Sequence, residues 1–356
     1  MHILHTESSN GWGGQEIRIL KEALGLRSSG NCQISFAVVS GGKLAQYARK
    51  EGFDVFEIDF KRARAAIALW QLVRLIKRQK IDVVNTHSSL DAWLGGIAAR
   101  LTGKSVVRTR HLSTSIRGGM NARLLYKGLA DYVVTTSSGI IPMIQQKAGL
   151  PRDRIQCIPT GVEPFEVSPE NVQEFRKSLG IKEGDILIGS VCVVRSWKGI
   201  QDLIAAAKLL QHDTRLKWVV VGGGYIHHFK PLVDAGLPFI FTGHLEDPMP
   251  AMAALDIFAL LSTAHEGISQ ASLQAAFLKK PLVTTTVGGL VEVCRHGVTG
   301  FTTAPFSPKG VAEAVARLAD DVDLRKRMGE EGNKLVLENY TQRHMLDQMA
   351  QILKEL

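Results

Sequence analysis

Two basic residues and one acidic residue in the second half of the sequence are of types that could bind and act on a phosphorylated group. Arg195 and Lys198 stand three residues apart, shortly after the apolar run 186–191. A guanidinium offers a planar fork of N–H donors and an ammonium a compact charge, so the pair could clamp a diphosphate. A solvated turn would carry the same two residues.

A polar segment reading His-Glu-Gly-Ile-Ser-Gln-Ala-Ser-Leu-Gln over residues 265–274 contains the acidic candidate, Glu266, and runs into a predicted helix. Glu266 could do no more than complement the dipole of that helix. Between the basic pair and this segment, further candidates follow two predicted strands: Gly223, Thr242, Gly243 and His244.

The first half of the sequence offers a glycine-rich loop and two histidines. Gly13 and Gly14 lead into a predicted helix, where flexible backbone and unpaired N–H groups could meet an anion. Glu16 stands where a dinucleotide-binding fingerprint requires its third glycine, so that motif is excluded. A purely structural turn would look the same. His87 and His111 each follow a predicted strand, where a lone histidine is more often a loop residue than a catalyst.

Apolar runs alternate with amphipathic stretches along the chain, which predicts parallel sheets with right-handed helical crossovers. The first series of strands is predicted at 3–5, 34–39, 55–58, 83–86, 106–108, 132–135 and 155–158. The second is predicted at 186–191, 218–221, 239–242, 257–260 and 282–285. The fold class is therefore α/β, with two Rossmann-like doubly wound domains at 1–165 and 166–339 and a C-terminal helix at about 340–356 packing back on the first. Ligands bind at the carboxyl ends of such strands, so the expected site is a central cleft that the two domains face.

The two halves of the sequence differ in charge. Residues 1–165 carry 23 Lys and Arg against 12 Asp and Glu, whereas the whole chain has a net charge of +9, so the second half is slightly acidic. The asymmetry suggests an anionic partner for the first half: nucleic acid, a membrane surface or a phosphorylated glycolipid. A solvated basic face without a partner is the alternative. Segments 60–80 and 115–127 place basic residues beside aromatic ones, which suits a membrane interface. Aromatic platforms for bases are scarce, so no nucleic-acid partner is expected.

Compartment and cofactors are predicted from what the sequence lacks. No apolar run approaches the roughly 20 residues of a membrane span, and the N-terminus has no signal-peptide pattern. We therefore expect a cytoplasmic protein that contacts the inner face of the membrane peripherally. Four widely separated cysteines are expected to be free thiols. Asp321 and Asp323 form an Asp-x-Asp, but in a charged stretch typical of a surface helix, so no metal site is expected.

The segment from Phe241 to Gly300, together with the loop at Gly13 and Gly14, resembles the retaining family-4 glycosyltransferases of the GT-B fold. The likeness covers most of the chain in the family's order and spacing, and the run from Glu266 to Ala275 is similar to that of lipopolysaccharide and surface-polysaccharide transferases. It implies transfer of a sugar from a nucleotide sugar, expected to be a UDP-sugar, to a glycan or glycolipid.

The resemblance also implies roles for single residues. Glu266 would bind hydroxyls of the donor sugar, and His111, favoured over His87, would bind a sugar hydroxyl near the anomeric carbon. The backbone amides of Ser269, Gln270 and Ala271 would face the diphosphate. Gln274 stands where the family has a second glutamate, and its amide oxygen could still accept a hydrogen bond from the ribose.

The leading interpretation is thus a metal-independent glycosyltransferase, in which Arg195 and Lys198 stabilise the leaving diphosphate. Two alternatives remain open at this stage. A GT-B epimerase would turn over its nucleotide sugar without an acceptor. A non-catalytic nucleotide-sugar or nucleic-acid binding protein would bind without any turnover. The sequence does not identify the sugar, the acceptor or the oligomeric state.

Overall fold

The computed structural model describes residues 1–30, 32–111 and 115–356. The chain forms two compact units. The N-terminal unit comprises Met1–Thr160 and Gln342–Leu356, and the C-terminal unit comprises Gly161–Thr341. The first unit ends five residues before the predicted boundary at 165, and the C-terminal helix, Gln342–Lys354, belongs to it.

The N-terminal unit is built on a seven-stranded sheet in which neighbouring strands run parallel. Its strand order is β3-β2-β1-β4-β5-β6-β7, so β1, β4 and β5 are neighbours at its centre. All six residues of β1 are buried, as expected for a strand that is covered on both faces. The strands are β1 His2–Glu7, β2 Gln33–Val39, β3 Asp54–Ile58, β4 Val83–Thr86, β5 Ser105–Arg110, β6 Tyr132–Thr135 and β7 Ile155–Cys157.

Helices cover both faces of this sheet. One face packs against α1, α2 and the C-terminal helix, through a core that includes Ile19, Phe36 and Met349. The other packs against α3, α4 and α6, through Leu72, Ala98 and Ile144. The helices are α1 Gly14–Ser28, α2 Lys43–Lys50, α3 Ala65–Arg78, α4 Ser89–Leu101, α5 Met120–Arg123, which continues as a wider turn over Leu124–Leu129, and α6 Ile141–Ala148.

The C-terminal unit has a six-stranded parallel sheet of order β10-β9-β8-β11-β12-β13. Two apolar cores, one on each face, hold its helices to it. The strands are β8 Ile186–Val191, β9 Leu216–Val221, β10 Phe239–Gly243, β11 Ile257–Leu260, β12 Leu282–Thr285 and β13 Gly300–Thr303. The helices are α7 Pro169–Ser178, α8 Ile200–Leu209, α9 Ile226–Phe229, α10 Met249–Ala254, α11 Gln270–Phe277, α12 Leu290–Val293, α13 Pro308–Asp320 and α14 Val322–Asn339.

All twelve predicted strands are present, and the parallel α/β fold class is confirmed. β13 was not predicted, because Gly300–Thr303 contains a single large apolar residue, Phe301. Asp321 is the N-cap of α14 and accepts a hydrogen bond from the Leu324 amide at 2.8 Å. Within the described ranges, no helix is both long and apolar enough to cross a bilayer.

Candidate active site

The predicted donor-binding residues of the C-terminal unit follow the carboxyl ends of four adjacent strands. Arg195 and Lys198 come after β8, the glycines 222–224 after β9, and Glu266 after β11. Thr242 and Gly243 end β10, and His244 follows them. Parallel strands end at one edge of their sheet, so residues far apart in sequence gather there.

Lys198 and Glu266 form an ion pair at this edge. The Lys198 ammonium donates to Oε1 of Glu266, and the Ser262 hydroxyl donates to the same oxygen at 2.6 Å. Only 18% of the Lys198 side chain and 9% of the Glu266 side chain are exposed. An ammonium has three N–H donors, so Lys198 keeps two for another anion while it remains paired with Glu266.

Arg195 and Lys198 lie in one tight turn, in which the Lys198 amide donates to the Arg195 carbonyl at 3.1 Å. The Arg195 guanidinium is exposed and lies 5.5 Å from the centre of the Tyr225 ring. The carbonyl of Trp197, in the same turn, accepts the Thr263 amide at 2.7 Å. That bond ties the turn after β8 to the loop after β11, which carries Glu266.

The backbone around Glu266 is unusual. His265 has φ +61°, a left-handed conformation that is uncommon for a residue with a side chain and that concentrates at functional sites. The Glu266 carbonyl accepts the Gly289 amide at 3.3 Å. The two loops that follow β11 and β12 are therefore joined at the predicted donor-sugar residue.

The first turn of α11 contains the residues that are predicted to face the diphosphate. Ser269 is the N-cap, and its hydroxyl accepts the Ser272 amide at 3.3 Å. The amides of Gln270 and Ala271 occupy positions that no helix satisfies internally. Among the described residues, the buried Gln270 Oε1 and Ser272 Oγ also have no hydrogen-bond partner. Gln274 is half-buried further along the same helix.

The glycine segment after β9 is held by its neighbours. The Gly223 carbonyl accepts the Val194 amide at 2.8 Å, and the Gly243 carbonyl accepts the Gly222 amide at 2.9 Å. The Thr242 hydroxyl also donates to the Gly243 carbonyl at 2.9 Å. His244 is exposed beside Gly223. The remaining predicted residues of this unit thus line the same sheet edge.

In the N-terminal unit, Gly13 and Gly14 begin α1. Gly13 is the N-cap, and its amide donates to the buried Glu16 carboxylate at 2.9 Å. The Glu16 carboxylate therefore already accepts a hydrogen bond from one of the N–H groups that were predicted to meet an anion. Gly14 is exposed, with no atom within 4 Å of the position a β-carbon would take.

His111 lies at the end of a chain of three histidines. Its Nε2 is 3.0 Å from Nδ1 of His87, and Nε2 of His87 is 2.9 Å from Nδ1 of His5. His87 and His111 were alternative predictions, but the two side chains are directly hydrogen-bonded. His5 was not predicted, because it lies inside β1 in a short apolar run and gives no motif signal.

Two buried carboxylates lie beside this chain. Glu7, at the end of β1, accepts the Ser9 amide at 2.7 Å and contacts Ser88 and Gln15. Asp91 accepts the amides of His87 and Ser88 at 2.9 Å and 3.2 Å. Burial and the charge of Asp91 raise the pKa of Glu7 to about 7.

Comparison with known proteins decides the family. The model of the glycosyl transferases group 1 matches residues 171–335, and the model of Glycosyltransferase Family 4 matches residues 12–165. The chain belongs to the group 1 glycosyltransferases.

Individual known proteins resemble the chain over most of its length. The capsular polysaccharide biosynthesis glycosyltransferase CapM of Staphylococcus aureus is 24% identical over 291 residues, which are 76% of this chain and 75% of CapM. Anabaena HepE in complex with UDP superposes with a TM-score of 0.88 at 21% identity, over 100% of both chains. WaaG, a glycosyltransferase involved in lipopolysaccharide biosynthesis, superposes with a TM-score of 0.70 at 18% identity, over 99% of both chains. The structural likeness shows that this glycosyltransferase has the GT-B fold.

Proposed function

We propose that this glycosyltransferase transfers a sugar, with retention of anomeric configuration, from a UDP-sugar to a hydroxyl group of a glycan or glycolipid. The product would serve cell-surface polysaccharide or lipopolysaccharide synthesis. CapM and WaaG, which the chain resembles, are named for such pathways, and HepE was crystallised with UDP. These likenesses support the substrate class, and the residues at the C-terminal sheet edge supply the chemical argument.

The observation that carries the proposal is the buried pair of Lys198 and Glu266 beside the first turn of α11. When the bond between the anomeric carbon and the diphosphate breaks, its electron pair leaves on the diphosphate. The remaining N–H groups of Lys198, the Arg195 guanidinium and the α11 amides would stabilise that charge without reorganising. Glu266 would accept hydrogen bonds from the sugar hydroxyls, which orients the ring and supports the developing positive charge at the anomeric carbon.

The acceptor hydroxyl supplies the oxygen of the new bond and releases a proton. Its oxygen forms the new bond to the anomeric carbon on the face that the diphosphate leaves, and its proton departs with the diphosphate. Because side-chain cations and helix amides would neutralise the leaving group, we propose that the reaction needs no divalent metal. Gln274 would hold the ribose of the nucleotide, and its neutral amide suits a binding role better than a proton-transfer role.

The acceptor would be presented at a membrane. In the N-terminal unit, Ile67 and Trp70 on α3 are 57% and 60% exposed. The exposed basic residues Lys61, Arg62 and Arg64 lie just before them in the chain, and Arg117 and Arg123 flank the start of α5. Exposed apolar side chains beside cations suit the surface of an anionic bilayer. We propose peripheral binding there, at the inner face of the membrane.

The test is a donor screen followed by product analysis. A bound donor stabilises the fold by mass action, so thermal shifts over UDP-, GDP-, ADP- and CDP-sugars should single out a UDP-sugar. The selected donor is then incubated with polysaccharide and lipid-linked glycan acceptors, and the anomeric configuration of the product is read by NMR. Inversion would overturn the proposed stereochemistry. Epimerisation of the nucleotide sugar in the absence of an acceptor would indicate an epimerase and not a transferase. Binding without turnover would indicate a binding protein.

A further inference from the structure

His5, His87 and His111 form a hydrogen-bonded chain across the three central strands of the N-terminal sheet. His5 lies in β1, His87 follows β4 and His111 follows β5. The ring centres of His5 and His87, and those of His87 and His111, are each 5.2 Å apart. His5 and His87 are buried, and His111 is partly buried.

Burial and the neighbouring positive charges disfavour protonation of the three histidine rings. Burial lowers the pKa of His5 to about 3. Burial is also the main cause of the lowered pKa of His87 and of His111, with the nearby guanidinium groups of Arg18 and Arg108 acting in the same direction. All three imidazoles are therefore neutral, with one ring N–H each.

Three neutral rings can share these hydrogens in only two ways. Each nitrogen-nitrogen contact needs one hydrogen, and no ring can supply both contacts without becoming a cation. Either all three rings carry hydrogen at Nδ1, or all three carry it at Nε2. In the first arrangement His111 offers an N–H donor at the nitrogen that faces away from His87, and in the second it offers a lone pair there.

The inner end of the chain distinguishes the two arrangements. Nε2 of His5 is buried without a hydrogen-bond partner among the described residues, and the ring stacks on Phe36 with centres 5.5 Å apart. An N–H group orphaned in a protein interior is rarer than an unused acceptor. Hydrogen at Nδ1 of His5 is thus the better arrangement, and it sets the tautomers of His87 and His111.

We propose that His5 and His87 are positioning residues that hold His111 as the neutral Nδ1–H tautomer, so that His111 acts as a hydrogen-bond donor and not as a base. The Thr136 hydroxyl, which donates to the His111 carbonyl at 3.0 Å, helps to hold the residue in place. The inference rests on the proposed transfer and on the role that the family resemblance implies for His111, in which its outer N–H would donate to a hydroxyl oxygen of the transferred sugar.

The tautomer is measured directly by nitrogen NMR on the full chain labelled with ¹⁵N-histidine, because protonated and bare ring nitrogens have well-separated shifts. Signals are assigned by single variants, and His2 provides the matched control. His2 is also buried in β1, but its ring contacts Gln79 and Ser35 and none of the three linked histidines. We expect hydrogen at Nδ1 and a bare Nε2 for His5, His87 and His111. A bare Nδ1 on His111, or a doubly protonated His87, would overturn the proposal whatever the activity.

The role in the reaction is read from His5→Phe. This variant removes the donor to His87, which frees His87 and His111 to adopt the other tautomer. Loss of one neutral hydrogen bond in the transition state corresponds to about tenfold in kcat, with little change in the KM of the donor. His2→Phe should leave both kcat and the nitrogen signals of His87 and His111 unchanged. A reversed tautomer in His5→Phe with unaltered kcat would refute the positioning role and leave the proposed transferase activity intact.

Discussion

The backbone carbonyl oxygen of Glu266 fills the place where a β-carbon of Gly288 would stand, only 1.9 Å away. Gly288 has φ +57°, so both its conformation and its contact require glycine. The turn after β12 thereby presses on the loop after β11 and fixes the peptide that carries the predicted sugar-binding carboxylate.

Gly288→Ala should therefore lower both stability and activity. The added methyl group must displace the Glu266 peptide, and overpacking of this kind costs about 1–3 kcal/mol. The matched control is Gly236→Ala, because Gly236 has φ +86° but no atom within 4 Å of its β-carbon position. Thermal melts and kcat/KM for both variants separate the contact from the backbone strain. Equal losses in the two variants would show that the Glu266 contact is unimportant.

Glu266 and Gln274 should differ in kinetic effect. We expect Glu266→Gln to lower kcat by about 100-fold or more, since the side chain would act on the transition state. Gln274→Ala should mainly raise the KM for the donor, because a contact to the ribose stabilises the bound substrate and the transition state equally. Glu266→Ala is the less informative variant, because it leaves the buried Lys198 ammonium without its partner. Similar losses of kcat for Glu266→Gln and Gln274→Ala would contradict the assignment.

The transferase should remain active in saturating EDTA. Lys198, Arg195 and the first turn of α11 would provide the charge stabilisation that a metal supplies elsewhere. Initial rates are measured in EDTA alone and after addition of Mg²⁺ or Mn²⁺. The matched variant is Lys198→Met, which should lose most of its kcat in either condition. Complete loss of wild-type activity in EDTA, restored by either metal, would rule out a metal-independent reaction.

Glu7→Gln should stabilise the protein increasingly as pH rises. The pKa of Glu7 is raised in the folded state from 4.5 to about 7, so the folded protein holds the proton more tightly than the unfolded chain. The stability that this proton contributes is lost as pH rises from about 4.5 to about 7. The difference in free energy of unfolding between variant and wild type should approach zero near pH 4.5 and reach roughly 3 kcal/mol by pH 8.

Chemical denaturation at several pH values between these limits measures that difference. Glu57→Gln is the control of opposite sign, because hydrogen bonds from Ser40 and Arg49 lower the pKa of Glu57. The resulting advantage of the wild type should be constant above about pH 4.5 and be lost only as pH falls below that value. A stability difference for Glu7→Gln that does not change with pH would mean that the pKa of Glu7 is the same in the folded and unfolded states.

Binding to membranes should depend on the basic residues of the N-terminal unit. Each Lys or Arg near an anionic surface contributes about 1 kcal/mol, and salt weakens the attraction. Co-sedimentation with anionic vesicles should fall at high salt and after reversal of five charges, at Lys61, Arg62, Arg64, Arg117 and Arg123. Reversal at Lys326 and Arg327, exposed on α14 of the C-terminal unit, is the control. Equal binding to neutral and anionic vesicles would exclude the electrostatic surface.

The sequence by itself determined the strands and the polar residues that follow them. Apolar runs of three to six residues reveal strands buried on both faces, because such strands need continuous hydrophobic residues. The residues after those strands were found for the same reason, since loops at the carboxyl ends of parallel strands carry the binding groups. The strand Gly300–Thr303 was not predicted, because a short strand with one large apolar side chain has no clear hydrophobic pattern.

Only the tertiary structure decided which of these residues meet. Lys198 and Glu266 are 68 positions apart, and they pair because β8 and β11 are neighbours although two strands separate them in the chain. His5, His87 and His111 are aligned because β1, β4 and β5 lie side by side in the sheet. Hydrophobic patterning carries the local strand signal, but strand order follows from how crossovers pack on the sheet. A hydrogen bond between residues so distant in sequence therefore exists only after the whole sheet has formed.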